Sequence, residues 1–246
     1  MSRAGRGLFA EKNGCPMKTK LIALEGIDGS GKGLQFAALK AALERRGRSV
    51  GTMDFPDYTG FFGKEIGKML SGGGNVRADE ADARSMALWY ACDRFRAFRS
   101  FTDGEADFLL INRYVLSNAV YQSVRFREQN PGADAEAFAE WVFALEHAEL
   151  GLPVPDIYFI FDVDAPTSKS NVAKKGRRQY TEDADVYERS ESLMSGAREL
   201  YLKLGKALPN ARVIKCGTNG GMRAAEEITG ELMGIIEERR LAAADK

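Results

Sequence analysis

Cysteine is scarce and scattered in this chain. Cys15, Cys92 and Cys216 are odd in number, far apart and outside any C-x-x-C spacing, which argues against a disulfide framework and a zinc cluster and fits a reducing, cytoplasmic setting. Histidine is scarcer. His147 alone, between Glu146 and Ala148 in a helical pattern, reads as structural, so histidine-based nucleophilic catalysis is disfavoured. Charge of one sign is missing as well: 35 basic residues balance 35 acidic ones, so no global field draws the protein to nucleic acid or to an anionic membrane, and any positive site must be local. No apolar run approaches the roughly 20 residues of a membrane-spanning helix, and the N-terminal stretch lacks the apolar core of a signal peptide. Internal repeats and Pro- or Ser-rich linkers are absent too. Residues 1–16 read as a basic, glycine-containing extension expected to be flexible, and residues 17–246 are expected to make one domain.

Glycine, by contrast, is concentrated where it carries information. Gly26-Ile27-Asp28-Gly29-Ser30-Gly31-Lys32 fits the frame of a phosphate-binding loop, with a buried strand pattern before it (Leu21 to Glu25) and a helical stripe after it (Leu34, Ala38, Leu39, Ala42, Leu43) that stops at Gly47. Such glycines let backbone N–H groups converge on an anion, the helix N-terminus adds partial positive charge, and Lys32 reaches the outer phosphates. Gly26, Gly29, Ser30, Gly31, Lys32 and Gly33 are therefore the expected contacts of a nucleoside triphosphate. Gly33 is a departure, because that position usually supplies a Ser or Thr hydroxyl to Mg²⁺.

Further strands are expected at Ser49 to Phe55, Phe108 to Asn112, Ile157 to Val163 and Arg212 to Cys216. Helices are expected over Asp79 to Phe101, over Ala135 to Leu150, from Pro166 onward and through Ile228, Leu232, Ile235 and Ile236. This alternation predicts an α/β fold with a parallel sheet of about five strands and helices on both faces. Ligands of such sheets gather beyond the carboxyl ends of the strands. Glu25 to Lys32, Phe55-Pro56-Asp57, Asn112-Arg113-Tyr114 and Asp162-Val163-Asp164 all fall there, and Arg113 could clamp a second phosphate with two parallel hydrogen bonds.

From Lys20 to Gly217 the chain resembles the thymidylate kinases. The resemblance rests on Glu25 to Lys32, Phe55-Pro56, Asp93-Arg94, Arg113-Tyr114 with Ser117 and Tyr121-Gln122, and Leu152-Pro153-x-Pro155-Asp156 leading into Phe161-Asp162-Val163. It implies the phosphate-loop nucleoside monophosphate kinase fold, transfer of the γ-phosphoryl group of ATP to dTMP with Mg²⁺, small nucleotides as ligands and a homodimer. It also implies that Lys32 and Arg113 are catalytic, that Arg113 binds the acceptor phosphate and that Arg94 binds the base or that phosphate. Asp28 would contact the sugar 3′-hydroxyl, Tyr90 would stack on thymine, and Phe55, Ser117, Tyr121 and Gln122 would line the acceptor pocket. Without the resemblance, Tyr90 could equally be core and Arg94 could pair with an acid.

Lys174-Lys175-Gly176-Arg177-Arg178 is either a solvated turn or, by the same resemblance, part of a lid near residues 174–185. Arg177 and Arg178 would then place cations on the transferring phosphoryl group, with Glu188 matching an acid just beyond. Three positions depart from the family pattern: Gly33, Asn112 where an Asp-Arg-Tyr block has its acid, and Tyr58 where an arginine often stands. With the usual Mg²⁺ ligands gone, Asp162 or Glu25 becomes the expected metal acid, directly or through water. Two other readings stay open at this level, a kinase of another deoxynucleoside monophosphate and a catalytically weak nucleotide-binding regulator.

Overall fold

A computed structural model describes residues 17–174, 186–187, 190–218, 221–239 and 241. Its centre is the run Leu21-Ile22-Ala23-Leu24, which has no polar alternation and so must be covered on both faces. It lies in β1 (Lys20–Glu25), the middle of a five-strand parallel sheet in the order β2-β3-β1-β4-β5. The others are β2 (Val50–Asp54), β3 (Phe108–Asn112), β4 (Ile157–Asp162) and β5 (Ala211–Lys215), each within a residue or two of its expected span. Register aligns the strand ends: Leu24 lies beside Asn112, and Asn112 beside Asp54. Leu21 to Leu24, Phe108 to Ile111 and Ile157 to Phe161 are almost wholly buried, so the core is the sheet itself with the helices clamped to it.

The helices are α1 (Lys32–Arg45), α2 (Phe61–Ser71), α3 (Ala83–Phe98), α4 (Val115–Gln129), α5 (Ala135–Phe143), α6 (Ala165–Lys174), α7 (Glu191–Ala207) and α8 (Ala225–Glu238). α1 packs on α8, while α4 packs on α3, α5 and α7. A two-residue ribbon, β6 (Gly217–Thr218) with β7 (Gly221–Met222), follows β5; nothing in the sequence pattern announced it.

Three expectations are corrected by the packing. Leu34 is 63% exposed; the inward stripe of α1 is instead Gln35, Leu39, Ala42 and Leu43, because the helix is rotated to turn Lys32 toward the loop. The helix expected from Asp79 starts at Ala83, where the Asp82 carboxylate accepts from the backbone N–H groups of Arg84 and Ser85 and fixes the N-terminus. The helix expected to run to Leu150 is α-helical only to Phe143 and continues as a π-helical turn over Ala144–Glu149. That wider turn brings Glu146 fully inside, where Arg94 and Asn118 hold it. His147 is a packing residue, its Nδ1 2.8 Å from the Leu152 carbonyl. Cys92 and Cys216 are free thiols. Residues 1–16, Arg177, Arg178 and Glu188 lie outside the described residues.

Candidate active site

A cleft of about 950 Å³ opens over the carboxyl ends of β1, β2 and β3. Its rear wall is the loop between β1 and α1. Gly29 has φ +74, and a Cβ there would fall 2.3 Å from the Ser168 carbonyl oxygen, so only glycine permits both the turn and the close approach of α6. From α6, Ser168 Oγ donates to the Asp28 carbonyl at 2.6 Å and Asn171 Nδ2 to the Gly29 carbonyl at 2.8 Å. Lys32 Nζ arches over the loop and donates to the Gly26 and Ile27 carbonyls, both at 2.7 Å. Loop shape and lysine position are therefore fixed by protein contacts alone.

Arg113 follows β3 in the left-handed region, φ 59, which for a non-glycine residue is sustained only by surrounding contacts. Its backbone N–H donates to the Leu24 carbonyl at 3.0 Å, its Nη2 donates to Asp28 Oδ1, and its guanidinium lies over the Tyr121 ring. Burial disfavours the arginine charge, but Asp28 together with Tyr121 and Tyr201 outweighs it and holds the pKa well above its ordinary value. Tyr121 Oη donates to the other Asp28 oxygen at 3.2 Å. Asp28 thus ties the phosphate loop to the residue expected to hold the second phosphate.

The expected acceptor residues Asp28, Phe55, Tyr90, Arg94, Arg113, Ser117, Tyr121 and Gln122 all line this cleft. Tyr90 is half-buried and packs on the core as well. Arg94 is 2% exposed and makes a two-point contact to Glu146, from Nε at 2.5 Å and Nη2 at 2.6 Å. Asn118 Nδ2 reaches the same carboxylate at 2.8 Å.

The expected metal acids do not fit. Glu25 is fully buried and absent from the cleft wall; one oxygen accepts from the Tyr114 backbone N–H at 2.8 Å, the other from Ser117 Oγ and Tyr201 Oη. Burial raises its pKa against the pull of those donors and of Arg113 and Lys32. Asp162 is outside the cleft, with both oxygens taken by Arg198 at 2.6 and 3.2 Å. The acids that line the cleft are Asp28, Asp57 and Asp54; Asp54, at the end of β2, accepts from Asn112 Nδ2 at 2.8 Å. Asn112 Oδ1 is buried with no partner among the described residues, an arrangement that costs about 1–3 kcal/mol if left unmet. Water ligands of a cation would satisfy it, so the pair fits a hydrated Mg²⁺ where the two expected acids do not.

Sequence reasoning also missed Arg96, whose Nη2 contacts Asp57 at the cleft edge, and Tyr187, which stacks on Tyr121 at 6.3 Å. Arg96 carried a signal, being a second arginine two residues past Arg94 on the same helix. Glu146 carried none.

A parallel sheet in this order, with a glycine loop, a lysine at the start of the next helix and an arginine at the end of the neighbouring strand, defines a phosphate-loop kinase of the nucleoside monophosphate class. The family model described as thymidylate kinase matches residues 24–219. The chain belongs to the thymidylate kinase family. It is 33% identical over 187 residues to thymidylate kinase of Mycobacterium tuberculosis, covering 75% of this chain and 85% of that one. It is 28% identical over 222 residues to a probable thymidylate kinase of Thermococcus kodakarensis, covering 88% and 96%. A solved thymidylate kinase from Candida albicans matches the fold with a TM-score of 0.68 at 19% identity, over 94% of this chain and 97% of that one.

Proposed function

We propose that this protein transfers the γ-phosphoryl group of ATP to dTMP, giving dTDP and ADP. The carrying observation is that the Lys32 loop and Arg113 meet at one cleft, joined through Asp28, so a triphosphate and a monophosphate can approach end to end. Both nucleophile and electrophile are then phosphates. An acceptor phosphate needs no general base, so positioning and charge are what the cleft has to provide.

In this reading the backbone N–H groups from Gly29 to Gly33 cradle the donor phosphates and Lys32 neutralises the charge that grows as the γ-phosphoryl group departs. Arg113 holds the acceptor phosphate in line. Asp28 orients Arg113 and accepts from the sugar 3′-hydroxyl, while Phe55, Tyr90, Ser117, Tyr121 and Gln122 enclose the base and sugar. Arg94 reaches the acceptor from a socket set by Glu146. Arg177 and Arg178 supply lid cations in the closed complex. Mg²⁺, when bound, would sit beside Asp54 and Asn112 and would supply positive charge to the donor phosphates.

A homodimer in the cytoplasm completes the proposal. Leu88 and Phe95, seven residues apart on α3, are 45% and 42% exposed and leave an apolar strip that a second copy would cover. Among the described residues no helix is long and apolar enough to cross a membrane.

The test is coupled detection of ADP formed with each deoxynucleoside monophosphate in turn. dTMP should be preferred, with dUMP slower by roughly 10- to 200-fold in kcat/KM, the discrimination one methyl group provides. Faster turnover of dGMP or dCMP would overturn the acceptor assignment, and no turnover of any monophosphate would overturn the kinase reading.

A further inference from the structure

Asp54 and Asn112 close adjacent strands in direct register, and both face the cleft that the phosphate loop forms. The Asn112 amide has only one sensible orientation, because a carboxylate can only accept: Nδ2 turns to Asp54 and Oδ1 turns away from it. That oxygen is then buried without a partner among the described residues. Two strand ends therefore present carboxylate and amide oxygens, all acceptors, with their one facing donor already used.

An acceptor-only pair repels phosphate oxygens and attracts groups that can only donate. Water bound to a divalent cation is such a group. Mg²⁺ dehydrates reluctantly, keeps several waters, and is held near phosphates by one or two carboxylates rather than by a full protein cage. Among the described residues no cluster of three or more His, Cys, Asp or Glu forms such a cage. In phosphate-loop enzymes the supporting acid comes from beside the loop. Glu25 and Asp162 are spent on Tyr114, Ser117, Tyr201 and Arg198. Of the three acids that line the cleft, Asp28 is engaged by Arg113 and Tyr121 and Asp57 by Arg96 and Thr59, whereas Asp54 meets only the neutral Asn112 amide among its side-chain hydrogen-bond partners.

We propose that Asp54, oriented by Asn112, accepts hydrogen bonds from the water ligands of the divalent cation that enters with ATP. The inference rests on the ATP-dependent reading above. It assigns to β2 a metal-positioning acid that the sequence pattern placed on β1 or β4. Asn112 contributes orientation and a second acceptor, so the two residues act as one unit with a single charge. The sugar hydroxyl of the acceptor is the competing donor for this pair.

The experiment titrates Mn²⁺ by electron paramagnetic resonance into the full-length protein saturated with a non-hydrolysable ATP analogue, for the parent, Asp54→Asn, Asn112→Asp and the double variant that exchanges the two. Asp54→Asn should weaken Mn²⁺ binding to the complex by roughly 10- to 100-fold, the usual cost of losing an outer-sphere partner, with analogue affinity in the absence of metal unchanged or tighter. The exchanged variant should recover Mn²⁺ affinity to within a few-fold of the parent, and Asn112→Asp alone should strengthen it. Mn²⁺ affinity within twofold of the parent in both single variants, with analogue binding intact, would overturn the proposal; so would a loss confined to acceptor KM. Should Asp54→Asn fail to fold, Asn112→Asp and the exchanged pair decide the matter. Failure of the ATP-dependent reading looks different, because the parent itself would then not bind the analogue.

Discussion

Arg94 and Glu146, 52 residues apart in sequence, meet as a fully enclosed two-point ion pair in which one side chain is 2% exposed and the other 0%. The pair fastens α3 to the π-helical turn after α5 and fixes the guanidinium at the cleft floor. Burial alone would lower the Arg94 pKa, but Glu146 reverses the sign and holds it above its ordinary value.

Breaking such a pair leaves a charge in an apolar setting. Glu146→Ala is expected to destabilise the protein by about 3–5 kcal/mol. Denaturant unfolding with unchanged slope checks it, and a loss below about 1 kcal/mol would show that the pair contributes little to the fold. Acceptor KM should rise in parallel, since Arg94 would no longer be held.

Lys32→Ala is expected to lower kcat by roughly 10² or more while the circular dichroism spectrum and Tm stay close to those of the parent, because the ammonium acts on transition-state charge. Its Nζ donates to the Gly26 and Ile27 carbonyls and the Ser30 hydroxyl, acceptors that water can satisfy. Near-normal turnover in a folded variant would remove the phosphate loop from the mechanism.

Arg113→Lys keeps the charge and loses the planar fork. The expected outcome is a rise in dTMP KM of roughly tenfold or more, with ATP KM little changed. Equal effects on both substrates would mean that Arg113 serves the cleft as a whole rather than the acceptor.

Glu25 gives a pH dependence whose sign is fixed. Its folded pKa is raised above the ordinary 4.5, so at intermediate pH the folded state binds more protons than the unfolded one. The stability it contributes is complete below 4.5 and declines as pH rises through the folded value. Urea unfolding of the parent and of Glu25→Gln, compared from about pH 4.5 upward, should show the parent losing ground to the variant with increasing pH. A difference that is flat with pH, or that grows in the parent's favour, contradicts this.

Arg177→Ala and Arg178→Ala should each reduce kcat more than they weaken dTMP binding, since a lid cation acts mainly in the closed complex. Unchanged kcat in both and in the double variant would return residues 174–178 to a solvated turn.

The sequence by itself determined what depends on neighbours along the chain. The phosphate loop was legible because three glycines and a lysine must sit between a strand and a helix to converge on an anion, and the five strands were legible because a doubly covered sheet demands unbroken apolar runs. Arg113 was legible because a strand end in such a sheet faces the ligand. What depends on partners far apart was decided only by the tertiary structure. Periodicity does not say that Arg94 meets Glu146, or that Asp54 meets Asn112 across 58 residues, since those contacts are set by crossovers that bring separate strands and helices side by side. Leu34 was misread for the same reason: its residue type demands an apolar partner, but the rotation of α1 is fixed by Lys32 at the loop, which turns Leu34 outward. Glu25 and Asp162 sit at strand ends as acids should, yet Tyr114, Ser117, Tyr201 and Arg198 take up their oxygens, and only the folded arrangement puts Asp54 in the cleft wall beside Asn112.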